Sequence, residues 1–159
     1  MKYFNVTLCG LKGQVHPSLA NIYTTKDSQK CCTHIRMMTG DFFTYEIKSK
    51  QSGGSPHCRC CDTQSIESLS HILTSCSAYT DLRKRIIKEY DEICASTMSN
   101  IMFQDIKRDK ESLCQFILDA TSFNLKSRIH INDPVHMELL KLSRDFCFSV
   151  NAERMKSKS

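Results

Sequence analysis

Residues 55–79, SPHCRCCDTQSIESLSHILTSCSAY, constrain the fold of this chain more than any other stretch. Within them Cys58, Cys61, His71 and Cys76 are spaced C-x2-C-x9-H-x4-C. The C-x-x-C half lets one tight turn present two thiolates to one ion. The His-x4-Cys half suits a helical turn that presents an imidazole, then a thiolate just past its end. Three thiolates and one imidazole make a full tetrahedral set for Zn²⁺, which takes such ligands at about 2.0–2.3 Å. Four protein ligands leave no open position for water, so the expected zinc is structural, not catalytic.

The flanking residues agree with that geometry. Ser65 is the expected cap of a helix starting at Ile66, with Glu67 in its first turn, where a carboxylate suits the helix dipole. Ile66, Leu69, Ile72 and Leu73 then share one face, and His71 falls off it, toward a metal. Cys60 neighbours Cys61 and stays open as an alternative ligand; its expected place is beside the site with its S–H turned away.

Ten cysteines would also suit a secreted disulfide scaffold. The N-terminus, MKYFNVTLCGLKG, has no apolar run followed by a small-residue cleavage site. No run approaches the roughly 18 apolar residues of a membrane span. Cys9, Cys31, Cys32, Cys94, Cys114 and Cys147 fall at helical apolar positions, where a free thiol behaves as a small hydrophobe. The expected setting is therefore reducing and intracellular, nucleus or cytoplasm, with no membrane partner. A hydrophobic content of 40% suffices for a core, while the absence of Trp, five Gly and three Pro favour helices over a turn-rich β fold. The net charge of +5 is compatible with nucleic acid without singling it out.

The expected fold class is mostly α, a small helical domain stapled by one Cys-Cys-His-Cys zinc site. Three stretches are read along it: an N-terminal segment (1–40), the zinc module with its following helix (41–95), and a helical tail (96–159). Phe4, Val6 and Leu8 alternate as in a short strand. Residues 16–40 read as two short helices, the second capped by Thr25 or Asp27, carrying Cys31, Ile35 and Met38 inward and ending at Gly40. His34 beside Cys31 and Cys32 is not read as a second metal site, because adjacent residues on a helix diverge by roughly 100°. Asp41 is the expected cap of the next helix; Phe42 and Phe43 are read as core, with stacking of bases on these rings as the alternative.

Residues 80–94 form the clearest amphipathic helix, with Tyr79, Leu82, Ile86, Ile87, Tyr90, Ile93 and Cys94 inward. Its outer face pairs Asp81–Arg85, Arg85–Glu89 and Lys88–Glu92 at i,i+4. A polar linker is expected over 95–100, two helical pieces divided near Asp109, and an irregular stretch over 120–131 holding His130. Asp133 as cap and Pro134 at the first helical position start a last helix with Val135, Leu139, Leu142, Phe146 and Val150 inward and His136 toward solvent. The basic end, ERMKSKS, is expected to be disordered.

No Gly-rich phosphate loop, H-E-x-x-H, G-x-S-x-G or close aspartate pair is present, and no small-molecule substrate is evident. The residues R-x-x-T-G at Arg36, Thr39 and Gly40, then SGGSPHCRCC, then S-H-I-L-x-x-C-x-x-Y over 70–79, resemble the C-terminal zinc-binding region of non-LTR retrotransposon reverse transcriptases. CQFILDATSFNLKSRIHINDP is similar to the tail following that region in arthropod-type elements, so the resemblance runs from about His16 onward. It implies a region downstream of the polymerase domain that helps hold template RNA or target DNA, with Cys58, Cys61, His71 and Cys76 as ligands. Fingers, palm and endonuclease are missing, so no polymerase activity carries over. The chain is expected to be a fragment, a separately expressed remnant, or a recruited host or viral gene.

The leading expectation is a non-catalytic, zinc-dependent module that binds RNA or DNA, with Lys48, Lys50, Arg59, Arg83 and Lys84 as candidate phosphate contacts. The alternative is a zinc-stabilised docking module for a polymerase or another protein, or a retroelement relic without a selected role.

Overall fold

In the computed structural model the described residues are 19, 21–97, 100–120, 123 and 134–157. Among them the regular structure is helical, apart from one isolated antiparallel bridge between His57 and Ile66. The expected strand over Phe4–Leu8, His130 and the Asp133 cap lie outside the described residues.

Helix α1 is Thr25–Thr39. Its cap is Thr24, one residue before the expected Thr25, and Asp27 completes a capping box: the Thr24 Oγ1 accepts from the Asp27 N–H, and the Asp27 carboxylate accepts from the Thr24 N–H. Gly40 ends it at φ 81, a left-handed position that favours glycine. Before it, residues 21–23 are irregular, not a second short helix.

Helix α2, Tyr45–Ser52, is capped by Thr44, whose Oγ1 accepts from the Ile47 N–H at 3.3 Å. Asp41, the expected cap, instead faces Arg36 at the surface. Thr44 is buried, so Thr44→Ala removes a cap with no water to replace it. That variant is expected to lose about 1 kcal/mol of stability, read from its urea midpoint. Phe42 packs in the core as expected, but Phe43 is 48% exposed.

Helix α3 is Thr80–Thr97, so Ala95–Thr97 continue the helix where a linker was expected. Helices α4 (Asn100–Arg108) and α5 (Lys110–Leu118) are divided at Asp109, which caps α5 through the Ser112 N–H. Helix α6, Pro134–Lys156, starts at the expected proline. It runs on through most of the expected disordered end, because Arg154 is buried at 3% exposure. His136, expected in solvent, is buried.

Helix α6 is the spine: α1, α3 and α5 all pack against it. One apolar cluster runs from Met37 and Met38 through Ile72, Leu73, Tyr90 and Phe116 to Val150, and so draws on all three stretches of the chain. At its centre Tyr90 meets Phe116 edge-on at 5.3 Å, and Phe116 meets Phe103 at 5.0 Å and Phe123 at 5.6 Å. The Ser143 hydroxyl donates to the Leu139 carbonyl, so the Tyr90 hydroxyl is the donor in its 2.6 Å bond to Ser143. Cys31, Cys94, Cys114 and Cys147 are buried and outside any disulfide, as expected, whereas Cys32 is exposed.

Candidate metal centre

Between α2 and α3 the chain makes a small closed loop. The Cys58 N–H donates to the Ser65 carbonyl and the Glu67 N–H to the Pro56 carbonyl, both at 2.8 Å, on either side of the His57–Ile66 bridge. That closure sets Cys58 and Cys61 on one side of a tight turn. Ile66 belongs to this bridge and is 51% exposed, so it does not begin the helix expected there. The helical turn starts later, where the Ser68 hydroxyl, not that of Ser65, accepts from the His71 N–H at 3.1 Å.

The turn itself is unusual. His71–Ser75 is a π-helical turn, and the Cys76 N–H donates to the His71 carbonyl at 2.8 Å. In an α-helix, residues five apart lie about 140° apart around the axis, too far to share one ion. The wider i→i+5 turn, followed by extended backbone at Cys76, brings imidazole and thiol to one side. Ile72 and Leu73, both fully buried, clamp the turn into the core beside α5.

The four predicted ligands converge. The donor atoms of Cys58, Cys61, His71 and Cys76 all lie within 4.8 Å of one another, and the group can hold a metal ion. Cys58 Sγ and Cys76 Sγ are 3.8 Å apart, and Cys61 Sγ is 3.4 Å from His71 Nε2. The other ring nitrogen, Nδ1, faces the Ser75 hydroxyl at 3.4 Å. Burial pushes the Cys58 thiol up and the Cys76 thiol up to about 11. Burial acts the same way on Cys61, but hydrogen bonds from Thr63, His71 and Cys58 outweigh it and bring that thiol down to about 6. Ligation needs thiolates, so metal entry must displace protons from Cys58 and Cys76.

Cys60 Sγ lies 3.1 Å from the Ser157 hydroxyl at the end of α6, and with Cys58 and Glu67 it forms a second group whose donor atoms lie within 4.8 Å of one another. Glu67, read from sequence as a first-turn carboxylate suiting the helix dipole, is fully buried. Its Oε1 accepts from the Tyr45 N–H at 2.9 Å and from Arg154 Nη2. No local pattern marks that pair, which joins residues 87 apart.

The candidate phosphate contacts divide. Arg83 folds back so that Nη1 and Nη2 both donate to the Cys76 carbonyl at 3.1 Å, bracing a ligand. Lys50 pairs with Glu46 one turn earlier at 2.8 Å. Lys48 and Lys84 are exposed, as is Arg59, whose guanidinium lies 4.7 Å from the centroid of the Tyr45 ring. On α3 the expected Lys88–Glu92 pair stands at 3.8 Å, with both side chains exposed. Among the described residues no helix is long and apolar enough to cross a membrane. Comparison with family models, curated proteins and solved structures yields no match to this chain.

Proposed function

We propose that the chain is a zinc-stapled, non-catalytic module that holds RNA or DNA, related to the region that follows the polymerase in non-LTR retrotransposon reverse transcriptases. The observation that carries the zinc assignment is the 3.8 Å between Cys58 Sγ and Cys76 Sγ. A regular tetrahedron with Zn–S bonds of about 2.3 Å has S···S edges of about 3.8 Å. With Nε2 on the metal, Nδ1–H donates to Ser75, which holds the ring in place as outer partners of zinc histidines do. Four protein donors fill a structural site, and zinc there supplies folding energy, not a reactive water.

The nucleic-acid reading is supported by Arg59, exposed in the loop between Cys58 and Cys61 and lying over Tyr45. Stacking on the ring orders the guanidinium before it meets a phosphate or base. Lys48 on α2 and Lys84 on α3 are exposed cations that would follow the backbone. Arg83 and Lys50 have partners already and contribute less. Titration of labelled single-stranded RNA and duplex DNA at 50 and 200 mM salt tests this. Affinity should fall by an order of magnitude or more between the two, since released counterions set a steep salt slope. Arg59→Ala should weaken binding further at both salts. No binding of either nucleic acid at 50 mM would defeat the reading.

A docking role for a polymerase or another protein has one favouring observation, the mixed-sign outer face of α3 with its Lys88–Glu92 pair. Charge reversal at Lys84 and Lys88 separates the two. Lost RNA binding supports the nucleic-acid module, while intact RNA binding with a lost protein partner supports docking.

A further inference from the structure

We infer that Arg154 is a positioning residue of the metal centre, acting through Glu67, so that docking of the last turn of α6 and metal binding strengthen each other. The inference rests on the zinc reading above and extends it to a helix far away in sequence. Four observations converge. Glu67 immediately follows the closed loop, and its backbone N–H helps close it through the Pro56 carbonyl. A Glu67 carboxylate oxygen lies within 4.8 Å of the sulfurs of Cys58 and Cys60. Arg154 reaches that carboxylate from α6, and both side chains are almost wholly buried, at 4% and 0% exposure. Cys60, from the same loop, meets Ser157 one turn further on.

Charge explains why the pair belongs to the centre. Three thiolates around one divalent ion leave one negative charge in excess. Glu67, against Cys58, adds a second. Arg154 on Glu67 and Arg83 on the Cys76 carbonyl bring two positive charges to meet these two. Without Arg154, a buried carboxylate faces the thiolates uncompensated, and the loaded form suffers most. The flat guanidinium also lies over Phe42 and Tyr45, which hold it at the mouth of the loop. Because coupling of this kind is reciprocal, whatever Arg154 adds to metal affinity, the metal returns to the docking of α6.

The test uses the full chain and zinc alone as the probe. Zinc affinity is measured by competition with a chromophoric chelator for the native protein, Arg154→Met and Arg154→Lys. Amide hydrogen exchange over 150–157 is followed in the native protein with and without chelator. Arg154→Met should bind zinc about 10–100-fold more weakly, the usual effect of losing an outer partner of a metal ligand. Arg154→Lys, which keeps the charge, should recover most of the loss. Stripping zinc from the native protein should speed exchange over 150–157 as well as over 56–76. Should Arg154→Met not fold, the exchange experiment stands without it. Unchanged zinc affinity in Arg154→Met, or exchange over 150–157 indifferent to the chelator, overturns the inference while leaving the zinc site intact. A native protein that takes up no zinc overturns both, and the two failures are told apart at the first measurement.

Discussion

Cys76→Ser should leave the protein without bound zinc and lower its melting temperature by about 10–20 °C. Cys76 is fully buried, its Sγ sits 3.8 Å from that of Cys58, and its carbonyl is the anchor for Arg83. Removing one thiolate breaks the four-donor set, and the remaining three donors stay buried without their ion. Structural zinc supplies about 10–16 kcal/mol of apparent binding energy in small peptides. This chain also has a core of its own, so only part of that energy should appear as lost stability. A loss of about 5 kcal/mol corresponds to the stated shift for a domain of this size, at about 2–4 °C per kcal/mol. Differential scanning fluorimetry with and without chelator, together with metal analysis of the purified protein, gives the answer. Cys60→Ser is the control: its sulfur faces Ser157, and the zinc content should stay at one per chain. If Cys76→Ser and chelated native protein both melt within about 2 °C of untreated protein, the metal is not holding the fold.

Phe116→Ala should cost about 3–5 kcal/mol in urea unfolding at saturating zinc. Its ring is 1% exposed and touches Tyr90, Phe103 and Phe123, where α3, α4 and α5 converge. Truncation removes the ring that Tyr90 and Phe123 meet edge-on and Phe103 meets tilted, and leaves a cavity among them. Saturating zinc matters, because ligand linkage would otherwise mix a change in metal affinity into the result. The same variant asks whether the metal loop leans on this core. Ile72 and Leu73 belong to the same apolar cluster as Phe116, so the variant's zinc site should release metal to a chelator faster than the native site. A loss below about 1 kcal/mol means the aromatic cluster is not a packed core.

Much of this was readable from local spacing. The C-x2-C-x9-H-x4-C pattern named four residues whose donor atoms do converge, because a tight turn and one helical turn fix ligand positions within a few residues. Gly40, Asp109 and Pro134 marked helix boundaries correctly, since caps act over one turn. The inward stripe of α3 was legible from its 3.6-residue period, with Tyr90 and Cys94 fully buried. Errors gathered where two kinds of local signal competed. Thr24 and Thr44 won the caps from Thr25 and Asp41, which stand one and three residues away. The π turn at His71–Ser75 leaves no mark in a hydrophobic pattern. Ser65 and Ile66 read as a helix start, but the chain spends them closing the loop.

What the sequence alone determined is the helical class and which four donor residues come together, because helix periodicity and the Cys and His spacing are carried within one short segment. Only the tertiary structure decided the fates of Glu67, His136, Arg83 and Arg154. Glu67 was read as a first-turn carboxylate, His136 as facing solvent, Arg83 as a phosphate contact and Arg154 as part of a disordered end, yet Glu67, His136 and Arg154 are buried and Arg83 folds back onto the Cys76 carbonyl. The physical reason is burial: a charge can leave water only where an opposite charge or a carbonyl waits for it. For Glu67 that partner stands 87 residues away, and no window along the chain contains both.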